Sequence, residues 1–92
     1  MIDSYISEVK NMIVKDITIS IEKGLHARPA ADLVKNLNKF QSSVEFKVNE
    51  KKLNPKSVIS LMASVIKQGD VIRVNVNGLD EEETMNWLVN FL

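Results

Sequence analysis

Two hydrophobic periods alternate along this chain, and the alternation leaves few ways to fold it. In "IVKDITISI" (13–21), Ile13, Ile17, Ile19 and Ile21 share one side of an extended segment, while Asp16, Thr18 and Ser20 point the other way. "SVEFKV" (43–48) repeats the pattern with Val44, Phe46 and Val48 inward and Glu45 and Lys47 outward. "NEKK" reads as a tight turn into a short strand ending near Leu53. "DVIRVNV" (70–76) aligns Ile72, Val74 and Val76. Each strand thus has one apolar face that must be covered and one polar face that tolerates water.

The intervening segments carry the helical period. "ARPAADLVKNLNKF" (27–40) spaces Ala30, Leu33, Val34, Leu37 and Phe40 along one stripe, with Asp32, Lys35, Asn36 and Lys39 outside it. "PKSVISLMASVI" (55–66) sets Val58, Leu61, Met62 and Val65 on a shared stripe, with Gly69 as a stop. "DEEETMNWLVNFL" (80–92) offers Asp80 as an N-cap with Glu83 three residues on, the spacing of a reciprocal cap. Its acidic run suits the positive end of a helix dipole. Met85, Leu88, Val89 and Leu92 form the expected core stripe, leaving Trp87 and Phe91 one turn apart on the other side. The order is strand, helix, strand, strand, helix, strand, helix. An antiparallel sheet covered by helices on one face, an α+β fold, packs that order most simply.

Ninety-two residues suit one domain with a single core. Twelve acidic and twelve basic side chains cancel, so no global field draws nucleic acid or an anionic membrane surface. The absence of cysteine removes disulfides and thiolate metal sites and fits a reducing, cytoplasmic setting. No apolar run approaches the roughly eighteen residues of a membrane span, and "MIDSYISEVK" does not read as a secretory signal.

The single histidine lies in "GLHARPAADLV" (24–34). A lone histidine is most often a surface residue or a helix cap, but its neighbours add chemistry. Gly24 permits a sharp turn off the first strand, and Pro29 belongs in the first turn of a helix, where its missing N–H costs nothing. His26 is therefore expected at a helix start, where unpaired N–H groups and the dipole favour an anion. Neutral imidazole is a nucleophile. Arg28, one of two arginines in the chain, can hold a planar oxyanion in bidentate fashion. These groups together suit a phosphate carried on the ring.

"GLHARPAADLV" resembles the active-site signature of the HPr family, the histidine phosphocarriers of the bacterial phosphoenolpyruvate-dependent sugar phosphotransferase system. "NPKSVISLMASVIKQGDVIRV" (54–74) is similar to the family's second signature, and "VNGLDEEE" (76–83) to its lead into the last helix. The likeness runs from about Ile13 to Leu92. It implies an open-faced β-sandwich, a four-stranded antiparallel sheet with three helices on one face in the order β-α-β-β-α-β-α. It also implies that His26 accepts phosphate on Nδ1 from phosphorylated Enzyme I and passes it to a sugar-specific IIA protein. Arg28 would contact the phosphate, helped by the backbone N–H groups of Ala27 and Arg28. Both transfers run between proteins, so no metal or cofactor is implied, and the chain would be a carrier rather than an enzyme.

Ser57 reads from its neighbours as an ordinary N-cap. The resemblance makes it the target of an HPr kinase/phosphorylase, beside a partner-docking patch of Val58, Ile59 and Met62. Phosphate there would add close to two negative charges next to that patch. The chain departs from the Gram-positive pattern at Ile59, where methionine is favoured, and at Ser64, where leucine is favoured. A second reading is a regulatory paralogue or adaptor that binds a catabolite-control transcription factor instead of carrying phosphate. Residues 1–11 precede the usual start of the family, and Met12 could itself be an initiator. Ile2, Tyr5, Ile6, Val9 and Ile13 recur at helical spacing, which gives an expectation of a short helix lying over Trp87 and Phe91, in its own chain or a neighbour's.

Overall fold

The computed structural model describes residues 12–92. Its elements are β1 (Met12–Thr18), α1 (Ala27–Leu37), β2 (Ser43–Val48), β3 (Lys51–Leu53), α2 (Val58–Ala63), β4 (Val71–Asn77) and α3 (Glu81–Phe91). The sheet order is β1-β4-β2-β3, and every neighbouring pair is antiparallel. This is the expected α+β arrangement with three helices.

Register follows from the period-two pattern. Ile17 faces Ile72 across β1 and β4, while Val44 faces Val76 and Phe46 faces Val74 across β2 and β4. A slip of one residue would turn these side chains into water, so burial fixes the pairing. Asn49 and Glu50, with φ of 49° and 68°, close a two-residue turn between β2 and β3. The opposite sheet face is mostly polar, with Met12, Val14 and Val71 exposed among groups such as Arg73, which donates from Nε to the Asp16 carboxylate at 3.0 Å, and Asn75, which donates to Glu45 at 3.3 Å. β1 ends at Thr18, short of the expected Ile21, although Ile19 still donates to the Asp70 carbonyl and accepts from Gly69, each at 2.8 Å.

The core joins Ile17, Ile19, Phe46, Ile72, Val74 and Val76 of the sheet side to Ala30, Leu33, Leu37, Leu61, Met85, Leu88 and Leu92 of the helical layer. Val34 and Phe40 pack partly against it. Three helical expectations are corrected. First, α2 ends at Ala63, and of the stripe Val58, Leu61, Met62 and Val65 only Leu61 is buried. The chain turns at Val65, in the left-handed region at φ 46°, and this turn swings Ile66 into the core. Gly69, at φ 93°, serves the turn before β4 and stops no helix.

Second, Asp80 holds the expected N-cap position of α3, but its side chain makes no cap hydrogen bond. Its carboxylate instead reaches the loop after α1, accepting from the Ser42 hydroxyl and from the backbone N–H groups of Gln41 and Ser42, both at 2.8 Å. Glu81, not Glu83, reaches back, accepting from the N–H of Gly78 at 3.1 Å. Three donors outcompete a single cap bond and pull the Asp80 carboxyl down to about 2, the Ser42 hydroxyl being the largest cause. Third, Val89 is exposed, whereas Trp87 and Phe91 are half-buried. Phe91 stacks on Trp87 at 4.8 Å between centroids, and Phe40 packs on Trp87 at 6.2 Å. The aromatic pair thus has a partner in the segment following α1. The expected helix over residues 1–11 lies outside the described residues, and Ile13, counted in its stripe, belongs to β1.

Candidate functional site

The segment between β1 and α1 is held at both ends. Ser20 donates to the Leu92 carbonyl from its backbone N–H and from its hydroxyl, each at 2.7 Å. Gly24, at φ 74°, lies against the turn after α2, where an added Cβ would stand 2.3 Å from the Ile66 carbonyl oxygen. Leu25 is buried and donates to that same carbonyl at 3.0 Å. A buried anchor directly before His26 leaves the histidine as the first residue free to face water.

His26 is the N-cap of α1, with extended backbone at φ −83° and ψ −170°. Its carbonyl accepts the first helical bond, from Ala30 at 2.9 Å, while its side chain makes no cap hydrogen bond. The N–H groups of Ala27 and Arg28 lie in the first turn, where no intrahelical acceptor exists, and Pro29 has no N–H to satisfy. His26, Ala27 and Arg28 are all exposed. An imidazole at an N-cap that leaves the cap unused is available for chemistry outside the fold.

His26 and Arg28 line one open depression of about 300 Å³, together with Ile21, Pro29, Asp32 and Phe91. The structure therefore places His26 and Arg28, both singled out from the sequence, on one hollow. Ile21, Asp32 and Phe91 were not anticipated. Asp32 carried a usable signal, standing four residues after Arg28 on the same helix, where side chains are neighbours. Phe91 carried none, since its approach depends on the docking of α3.

Ser57 lies elsewhere, at the N-cap of α2, where its hydroxyl accepts from the Ser60 N–H at 3.3 Å. The residue is half-buried, and Val58, Ile59 and Met62 beside it are exposed, Ile59 by 82%. α1 packs directly on α2, so His26 and this apolar patch occupy adjoining helices. Among the described residues, no group of three His, Cys, Asp or Glu side chains is placed to hold a metal ion. No helix among them is long and apolar enough to cross a membrane.

Comparison with known proteins identifies the family and the fold. The family described as PTS HPr component phosphorylation site matches residues 13–92. The HPr-like protein Crh of Halalkalibacterium halodurans is 37% identical over 81 residues, covering 88% of this chain and 96% of that one. Phosphocarrier protein HPr of Xylella fastidiosa (strain Temecula1) is 38% identical over 77 residues, covering 84% of this chain and 86% of that one. Among solved structures, a phosphocarrier protein HPr from Bacillus anthracis superposes with a TM-score of 0.85 at 32% identity, over 88% of this chain and 96% of that one. Sequence, fold and nearly complete coverage point the same way, and the chain belongs to the HPr family of phosphocarrier proteins.

Proposed function

We propose that this protein carries a phosphoryl group on His26, taking it from phosphorylated Enzyme I and giving it to a sugar-specific IIA protein. The observation that carries the reading is the exposed imidazole at the α1 N-cap, unused by the cap and sharing a depression with Arg28. An unshared electron pair on the His26 ring attacks phosphorus as the donor's own bond to phosphorus breaks, and that bond's electrons leave with the donor group. The exchange forms one bond to phosphorus and breaks one, so it needs no further reactant. Arg28 and the N–H groups of Ala27 and Arg28 then balance the charge of the phosphate.

Incubation with Enzyme I and labelled phosphoenolpyruvate should place acid-labile label on the wild type and none on His26→Ala. Because the His26 side chain makes no cap bond, that variant should stay within about 0.5 kcal/mol of wild-type stability, so loss of label reports chemistry. Arg28→Ala should accept label more slowly, since the backbone donors remain.

A second, regulatory reading is favoured by the likeness to an HPr-like protein Crh and by the exposed patch beside Ser57. In it, an HPr kinase/phosphorylase modifies Ser57, and the modified surface binds a catabolite-control transcription factor. The hydroxyl's cap bond to Ser60 is long and the residue half-exposed, which suits a serine that serves the fold and still meets a kinase. The two readings use different side chains, and one protein can hold both.

A further inference from the structure

The His26 depression contains a carboxylate as well as a guanidinium. Asp32 follows Arg28 by four residues on α1, and both residues line the hollow with His26. Asp32 and Arg28 are exposed, and among the described residues neither side chain has an ion-pair partner within 4.0 Å. Charges lining one hollow of about 300 Å³ interact over the screening length of ~10 Å at 0.1 M salt, so the Asp32 charge bears on a phosphoryl group placed there.

We propose that Asp32 sets how readily His26 gives up its phosphoryl group, an inference that rests on His26 being the phosphoryl acceptor. A phosphoryl group brings close to two negative charges into the hollow. Asp32 opposes it twice, by direct repulsion and by attracting Arg28, whose guanidinium the phosphate also needs. The repulsion raises the free energy of the charged carrier and the competing attraction lowers that of the uncharged one, so both effects disfavour charging. Forward transfer to the next protein is correspondingly more favourable, and charging by the donor less so. Asp32 forms no bond to the reacting atoms; it acts through charge and through the position of Arg28.

The test is the equilibrium of phosphoryl exchange between phosphorylated Enzyme I and the free carrier, read by phosphorus NMR. This equilibrium depends only on the end states, so a change in docking affinity or rate does not enter it. Asp32→Asn should shift it toward phosphorylated carrier by about two- to fivefold at low ionic strength, the range of a solvent-exposed charge pair. The shift should shrink in 1 M salt, where the screening length is ~3 Å, and Asp32→Glu should restore the wild-type value. An Asp32→Asn equilibrium equal to wild type at low salt would overturn the proposal, as would a shift that salt leaves unchanged. If the wild type takes up no phosphoryl group on His26, the carrier reading itself falls and this inference with it.

Discussion

Gly24 lies directly on the carbonyl of Ile66, so the segment presenting His26 is seated on the turn that follows α2. Ile66 is buried because the chain reverses at Val65, and its carbonyl then takes the N–H of Leu25 at 3.0 Å. The position of His26 is thus set by contact with the turn that follows α2, the helix beside Ser57 and its apolar patch.

Gly24→Ala should therefore damage both fold and function. A non-glycine residue held at φ 74° costs about 1–3 kcal/mol, and overlap with the Ile66 carbonyl adds to it. Thermal unfolding should show a lowered Tm, and phosphoryl transfer should fall at temperatures where the variant remains folded. An unchanged Tm would mean that the two segments are not in contact.

Val65 should respond in the opposite direction. A β-branched residue in the left-handed region is strained, and here it is also 66% exposed, so its side chain returns little burial. Val65→Gly should stabilise the protein by about 1 kcal/mol, or roughly 4–8 °C in Tm for a domain of this size. Label transfer should be unaltered. A lower Tm would show that residue 65 does not adopt the left-handed turn.

The strands and α1 were legible because each element's period agrees with its burial: Val44, Phe46 and Val48, or Leu33 and Leu37, face the core as their spacing demands. The grouping of His26, Arg28 and Pro29 at one hollow was legible for a similar reason, since they lie within one local stretch. What stayed hidden depends on residues far apart in the chain. No glycine marked the turn at Val65, so the apolar spacing of 58–65 read as one longer helix. Asp80 stands at the N-cap its spacing implies, but the donors to its carboxylate lie about forty residues earlier, at Gln41 and Ser42. Trp87 looked unpartnered because Phe40 reaches it only when α1 and α3 are packed together.

Asp80 gives a dependence on pH with a definite sign. Its folded-state value of about 2 lies below the ordinary 3.8, so the carboxylate stabilises the fold fully above the unfolded value. That contribution is lost as pH falls from about 4 through about 2. Denaturant unfolding across this window should show a steeper loss for wild type than for Asp80→Asn, which should be less stable than wild type at neutral pH. Parallel curves for the two proteins would contradict the three-donor clasp on Asp80.

Ser57 separates a cap from a switch. Ser57→Ala should cost about 1 kcal/mol of stability through the lost bond to Ser60 and leave transfer from Enzyme I intact. Ser57→Asp keeps a capping oxygen but sets a charge beside Val58, Ile59 and Met62. If that patch is buried against Enzyme I, transfer to His26 should fall by roughly tenfold. Equal transfer rates for Ser57→Asp and wild type would leave Ser57 as a cap alone.

The most direct measurement is the location of the phosphate itself. After incubation with Enzyme I and phosphoenolpyruvate, the protein can be digested under mildly alkaline conditions that preserve phosphohistidine and mapped by mass spectrometry. The account predicts one added phosphoryl group, on the peptide containing His26, and its disappearance when a cognate IIA protein is added. A protein that stays unmodified, or one whose phosphate lies on a peptide without His26, would contradict it.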